Sequence, residues 1–279
     1  MPTVTSRKNP IVARYRAAAR GEDASLMLLD GVHLVTEALA AGVPLHDVVT
    51  TTGAEARADV ATILERLSRA RVPLVSAASS VMAALSPVRS ASPIVALAER
   101  PSAHEARLYG ATTPLVVIAA DVQEPGNVGA IVRVAEAAGA HGVVVAGASA
   151  DPFSWKALRG SMGSALRLAV VVERDLARAV DEARRHGCRI VAATPRDGRS
   201  LFASALAGPL AILIGGEGPG LPPEIVDAAD ARVTVPMQAP VESLNAAVTA
   251  AVILYEARRQ RSHEAHENTK TTKDTKSKP

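Results

Sequence analysis

The stretch Leu210-Ala-Ile-Leu-Ile-Gly-Gly-Glu-Gly-Pro-Gly-Leu-Pro222 decides the fold of this chain. Its first five residues are all apolar, with no alternate polar position for a solvent-facing side. Such a run reads as a strand buried on both faces, which requires helices above and below a parallel sheet. The flanking sequence repeats the pattern. Leu115–Ala120, Gly142–Val145, Leu168–Val172, Arg189–Ala193 and Arg232–Val235 read as further strands. Val128–Ala138, Leu176–His186, Pro223–Ala228 and Leu244–Arg259 carry helical spacing between or after them. An α/β fold with a mostly parallel sheet follows, and its ligand sites belong beyond the carboxyl ends of strands.

Upstream, residues 98–113 are polar and weakly periodic and read as a linker. Before it, a helix from Pro10 to Ala19 carrying Arg14 and Arg16 is followed by short strands at Leu26–Leu29, Val48–Thr51, Val72–Val75 and Pro93–Leu97. Helical stretches at Val32–Ala41 and Ala54–Arg69 separate them. This predicts a smaller α/β domain over residues 1–100, a larger one over 113–260, and a Thr/Lys-rich disordered tail over 261–279.

The chain has 279 residues, 48% hydrophobic, a formal charge of +3 and a pI near 9.2, so an anionic partner is permitted without being required. No apolar run is long enough for a membrane span, and the amino terminus lacks the apolar core of a signal peptide, giving a soluble, cytoplasmic expectation. The single cysteine, Cys188, forbids an internal disulfide and any cysteine cluster for metal, and reads as a small core filler. Aromatics make up only 2%, so a nucleic acid would be held mainly through phosphates, shape and backbone groups.

Three loops follow predicted strands and concentrate polar residues. The first is Asp121-Val-Gln-Glu-Pro-Gly-Asn-Val-Gly-Ala-Ile-Val-Arg133. Pro125-Gly126 reads as a turn, Asn127 as a helix cap, Gly129 as a site of close approach, and Arg133 as a residue one to two turns into the helix. A cap and a surface arginine would explain the segment without function. The second is the glycine-rich loop above, where four glycines surround Glu217, expected as a buried carboxylate; a flexible turn is the plain alternative. It lacks the lysine ending of a phosphate-binding loop. The third is Pro236-Met-Gln-Ala-Pro-Val-Glu-Ser-Leu-Asn245, with Ser243 as the helix cap and Asn245 unexplained by packing.

Together these loops resemble the three motifs of the SpoU (TrmH-like) branch of the SPOUT methyltransferases. The match runs over about residues 113–260: Asn127-x-Gly129-x-x-x-Arg133, then Gly216-Glu217-Gly218-x-Gly220-Leu221, then Pro236-Met237 with Ser243-Leu244-Asn245. More loosely, Ser6-Arg7-Lys8-Asn9-Pro10 and Leu28–Ala38 resemble the ribosomal-protein-like substrate-binding domain that often precedes this catalytic domain.

The resemblance implies a SPOUT α/β fold with a deep trefoil knot and transfer of a methyl group from S-adenosyl-L-methionine (SAM) to a ribose 2′-hydroxyl in structured RNA. Ribosomal RNA is favoured over transfer RNA. It implies that Gly215, Val235 and Leu244 hold the cofactor and that Gly216 and Gly218 give its loop clearance. Arg133 is the implied catalytic arginine, oriented with the ribose by Asn127, Glu217, Ser243 and Asn245. Arg159, with Gly160-Ser-Met-Gly-Ser164, and Arg14 are candidate RNA contacts, although a surface turn would equally explain the former. A homodimer through the terminal helix and a reaction without metal are also implied. His33 and His141 read as structural, and Trp155 as packing. The competing readings are a non-catalytic RNA-binding protein of the same fold and a nucleotide-dependent enzyme using the glycine-rich loop.

Overall fold

A computed structural model describes residues 1–88, 90–102 and 105–276, the side chains of Glu105 and of 264–276 excepted. The chain forms two compact units, Met1–Ser102 with Asp151–Arg167, and Ala103–Ala150 with Leu168–Pro279.

In chain order the first stretch holds β1 (Thr3–Val4), α1 (Pro10–Arg20), β2 (Leu26–Asp30), α2 (Val32–Ala40), β3 (Leu45–Thr51), α3 (Ala58–Arg69), β4 (Leu74–Ala77), α4 (Ser79–Leu85) and β5 (Ile94–Glu99). The next holds α5 (Glu105–Tyr109), β6 (Leu115–Ala120), α6 (Pro125–Ala138) and β7 (Gly142–Ala146). Then come α7 (Trp155–Ser161), β8 (Ala169–Glu173), α8 (Leu176–Arg185), β9 (Arg189–Ala193), β10 (Arg199–Ser200), β11 (Leu210–Gly215), α9 (Pro223–Ala228), β12 (Ala231–Thr234) and α10 (Ala246–Lys276).

The first unit is a five-stranded mixed sheet in the order β1-β4-β3-β5-β2. Asn9 starts α1 by accepting from Ile11 N at 3.0 Å, with Pro10 at the first helical position and Gly21 in the left-handed conformation after its end. Tyr15, fully buried on α1, donates its hydroxyl to Asp47 Oδ1 at 2.6 Å, and Arg14 meets Asp47 Oδ2 at 2.6 Å. This group fastens α1 to β3. Burial, with the neighbouring Asp47 carboxylate, pushes the Tyr15 phenol well above its ordinary pKa.

The segment 151–167 belongs to this unit by its contacts, although its sequence position lies inside the expected 113–260 domain. Arg100 pairs with Asp151 at 2.8 Å and lies 5.9 Å from the centre of the Phe153 ring. Arg167 pairs with Glu37, and His33 Nε2 donates to the Met162 carbonyl at 3.2 Å. Partners more than a hundred residues apart hold the segment's second half, so no local pattern could have assigned it.

The second unit is a seven-stranded sheet, β10-β12-β9-β11-β6-β7-β8, parallel at every pairing. All six residues of β6 are buried, as are the first five of β11. Cys188 lies in this core as expected, and burial pushes its thiol pKa up. His141 is also structural: its Nδ1 accepts from Leu115 N at 3.0 Å, and burial lowers its pKa.

The expected linker is partly ordered into this core. Leu108 and Tyr109 of α5 are buried in it, and the Tyr109 ring stacks on His186 with centroids 4.5 Å apart; residues 103 and 104 lie outside the described residues. The expected tail is helical as far as Lys276, because neither glycine nor proline interrupts α10 before Pro279. Residues 277–279 lie outside the described residues. No helix among the described residues is long and apolar enough to cross a membrane.

Removing the Tyr15 hydroxyl leaves Asp47 short of a buried donor. Tyr15→Phe is expected to destabilise the first unit by about 1–3 kcal/mol. Urea unfolding followed by the fluorescence of Trp155, the single tryptophan and a member of this unit, measures it.

Candidate active site: three loops at one end of the parallel sheet

Because every strand of the second unit runs the same way, the loops after β6, β9, β11 and β12 emerge at one end. Gly215, the last residue of β11, pairs in register with Ala120, the last of β6, so two loops start side by side. A Cβ on Gly216 would stand 1.9 Å from the carbonyl oxygen of Asp121. Only glycine lets the β11 loop cross this backbone. The loop then turns back on itself through a bridge between Gly216 and Gly220, with Gly218 at φ +96° and Gly220 at φ +72°.

That turn carries Glu217 into solvent, so the expectation of a buried carboxylate is corrected. The glycines form a tight reversal that exposes its tip. Gly218 has open space around its Cβ position, so it is needed for its backbone angle and not for clearance.

The loops are joined by one chain of hydrogen bonds. Asn127 Nδ2 donates to Glu217 Oε1, and Asn245 Nδ2 donates to Asn127 Oδ1 at 3.1 Å. Asn245 Oδ1 then accepts from Ala247 N at 2.9 Å and Val248 N at 3.3 Å, capping α10. An ionised carboxylate only accepts, so Glu217 fixes which way the Asn127 amide faces, and Asn127 fixes Asn245 in turn.

Two expected caps are thereby corrected. Asn127 is the third residue of α6, whose cap is Glu124 and whose first turn is Pro125-Gly126. Ser243 lies two residues before the Asn245 cap, because α10 begins at Ala246 and not at Leu244.

A cavity of about 360 Å³ opens beside this chain. Gly215, Gly216, Gly218, Val235 and Leu244 all line it, as do Glu217, Ser243 and Asn245. Met237 of the third motif also lines it, and so do Thr194, Thr249 and Ile253, which were not foreseen. Thr194 follows a predicted strand, so the rule that singled out the other loops reaches it too. Ala246, Thr249 and Ile253 share one face of α10, visible as spacing only once the start of the helix is known. Among the described residues the cavity wall includes no lysine or arginine.

Arg133 lies exposed on α6, outside the cavity lining, and has no hydrogen bond or ion pair among the described residues. None of Asn127, Glu217, Ser243 or Asn245 reaches its guanidinium, so the expected orienting bonds are not made in the protein alone. It lies six positions on from Asn127, about 9 Å along the helix.

Arg159 is exposed on α7 in the first unit. The small residues after it have structural roles: Ser161 and Ser164 are buried, and a Cβ on Gly163 would meet Glu37 at 2.6 Å. The Arg14 guanidinium is committed to Asp47, with its side chain 46% exposed. Trp155 is half-buried at the start of α7, with the Lys156 ammonium 5.7 Å from its ring centre.

The two roles of Asn245 separate by substitution. Asn245→Ala removes the cap and is expected to cost about 1 kcal/mol. Asn245→Asp keeps an accepting cap but faces Asn127 Oδ1 without a donor. Thermal unfolding is expected to rank wild type first, Asp second and Ala last.

Residues 114–255 match the SpoU rRNA Methylase family, and residues 1–109 match the amino-terminal domain described as thiostrepton-resistance methylase, N terminus. An uncharacterised tRNA/rRNA methyltransferase of Synechocystis is 30% identical over 92% of this chain and 94% of its own length. A 23S rRNA guanosine 2′-O-methyltransferase of Bacillus subtilis is 28% identical over 92% of this chain and all of its own. Among solved structures, the SpoU methyltransferase AviRb of Streptomyces viridochromogenes, in complex with its cofactor AdoMet, superposes with a TM-score of 0.81 at 29% identity, covering 91% of this chain and 98% of that one. An AdoMet-bound rRNA methyltransferase of Sinorhizobium meliloti also gives 0.81, at 26% identity, covering 92% and 97%. The three motifs thus lie at one end of one sheet in a chain related along nearly its whole length to these proteins, and the chain belongs to the SpoU rRNA Methylase family.

Proposed function

We propose that this protein is a SAM-dependent RNA 2′-O-ribose methyltransferase acting on ribosomal RNA. The observation that carries the reading is the cavity beside the Glu217–Asn127–Asn245 chain, lined by the residues of the second and third motifs. Its wall fits SAM. Apolar side chains such as Val235, Leu244 and Ile253 offer surface for a nucleoside, and the main chain of Gly215–Leu221 supplies polar groups. Among the described residues the only charged side chain in the lining is the Glu217 carboxylate, which suits a cationic ligand. The lack of basic residues argues against the nucleotide-dependent enzyme, whose phosphates would need them.

When bound, SAM supplies a methyl group already activated on a sulfonium. The protein's part is to hold the ribose and stabilise the charge that develops on its 2′-oxygen. Arg133 is suited to this by having no acceptor among the described residues: its guanidinium can grip the phosphate beside the target ribose and donate to the forming alkoxide. It stays protonated, so the hydroxyl proton passes to a phosphate oxygen or to water. Asn127 and Asn245 position the ribose from the hydrogen-bonded chain, Ser243 from the cavity rim.

We read the passage of the β11 loop over the Asp121 backbone as one crossing of the deep trefoil knot that the motifs imply. The first unit serves as the RNA-binding domain, with Arg159 among its contacts and Arg14 contributing chiefly through the fold. The protein acts as a cytoplasmic homodimer. Val248, Val252 and Tyr255 form a stripe along α10, with Val248 and Tyr255 about half exposed, which a second copy would cover.

Methyl transfer from labelled SAM to ribosomal RNA tests the reaction. Arg133→Ala is expected to lower kcat by about 10²–10³, with SAM affinity by calorimetry held within about twofold. Loss of both together removes Arg133 from this role. In a separate test, Val248→Glu with Tyr255→Glu is expected to give a monomer in sedimentation; an unchanged dimer places the interface elsewhere.

A further inference from the structure

The loop after β9 leaves the cavity wall at Thr194 and reaches β10 within five residues. Its path is fixed by contacts with the wall. Thr194 Oγ1 lies 3.4 Å from Thr234 Oγ1, and Gly198 N donates to Thr234 Oγ1 at 3.0 Å. A Cβ on Gly198 would meet Thr234 Oγ1 at 2.6 Å and Thr194 Oγ1 at 2.9 Å, so the chain here is pressed onto the two threonines. Arg199 and Ser200 then pair with Val233 and Thr234, and Val235, the residue that follows that neighbouring strand, lines the cavity. Arg199 and the single turn Leu201–Ala203 are thus held one strand away from the cavity, and that turn follows the carboxyl end of β10.

Two side chains there have no partner among the described residues. Phe202 is 70% exposed, the most exposed large apolar side chain among them, in a chain with only two phenylalanines. Arg199 is exposed and, with Arg133, is one of the two arginines of the second unit with no partner among the described residues. The others are engaged with carboxylates, carbonyls or other neighbours. Neighbouring Arg196 is held by Glu242 at 2.6 Å, and the exposed carboxylate of Asp197 makes no ion pair with Arg199. A bare ring and an uncommitted guanidinium three residues apart lie within about 11 Å along the chain. They match the two surfaces an unstacked nucleotide offers, a base face and a phosphate.

We propose that Phe202 and Arg199 form a contact for the substrate RNA beside the cavity, with Phe202 stacking on an unpaired base and Arg199 holding a neighbouring phosphate. The inference rests on the ribose-methylation reading and deepens it. The site accepts single-stranded or looped RNA, because the stacked base must be free of its own helix. Of the two, Phe202 tolerates any base, since every base has a face to stack.

The test compares wild type, Phe202→Ala, Phe202→Trp and Arg199→Ala by filter binding to protein-free 23S rRNA, by KM for that RNA in methyl transfer, and by SAM calorimetry. Phe202→Ala is expected to weaken RNA binding and raise KM by about 5- to 100-fold, and Phe202→Trp to restore both. Arg199→Ala is expected to lower the slope of binding against salt by about one. SAM affinity is expected to be unchanged throughout. RNA binding and KM indifferent to Phe202→Ala overturn the inference while leaving the methyltransferase reading intact. A shift of Phe202→Ala from dimer to monomer in sedimentation also overturns it, by assigning the ring to a second copy. A wild type that binds neither SAM nor 23S rRNA removes both readings, whereas one that binds the RNA through Phe202 but not SAM keeps the contact and removes the enzyme.

Discussion

Glu217 comes from the β11 loop, Asn127 from the first turn of α6 and Asn245 from the cap of α10, and a single line of hydrogen bonds runs through them into the first turn of α10. Its polarity is set at one end. Glu217 can only accept while ionised, so the Asn127 amide must turn its nitrogen toward it and its oxygen toward Asn245. Asn245 then has its own oxygen left for the helix. Reversing any member would oppose like with like. The line therefore does more than tie loops together. It fixes where α10 begins, and α10 supplies Ala246, Thr249 and Ile253 to the cavity wall.

Bonds this exposed contribute about 1 kcal/mol each at most, so they select an arrangement that the sheet has already made possible. The sheet does so by close approach. Gly215 ends in register with Ala120, and Gly216 passes the Asp121 carbonyl where no side chain would fit. With strands this tightly apposed, the loops begin within hydrogen-bonding reach and little chain entropy remains to be lost in joining them. Further along its length α10 is tied back to α6, where Arg258 donates to the Ala137 carbonyl at 2.6 Å. The two helices bearing Arg133 and Asn245 thus form one support.

Against this network stand the two arginines of the second unit, Arg133 and Arg199, that have no partner among the described residues. A guanidinium already paired would have to break that pair to hold a phosphate, and in a folded protein most arginines find an acceptor. Arg133 and Arg199 lie on different elements of the same sheet unit and retain their full donor capacity for a ligand. Arg14 illustrates the opposite case: its neighbour Asp47 also takes the Tyr15 hydroxyl, so its charge serves the interior of the first unit.

The sequence by itself determined six of the seven strands of the parallel sheet, since runs such as Leu115–Ala120 and Leu210–Ile214 are apolar on both faces; the two-residue β10, Arg199–Ser200, is too short and too polar to leave such a pattern. It also located the three loops, because their glycines, prolines and asparagines interrupt that pattern right after strands. What it could not determine was anything set by partners distant in the chain. The helix cap fell to Asn245 and not Ser243 because Asn127, 118 residues away, holds the Asn245 amide. Glu217 was carried outward by the angles of Gly218 and Gly220, which composition does not reveal. Segment 151–167 joined the first unit through Arg100, Glu37 and His33. Local periodicity is a property of neighbouring residues and can be read from their order. Partnership across a hundred residues is decided only when the fold brings the groups within reach.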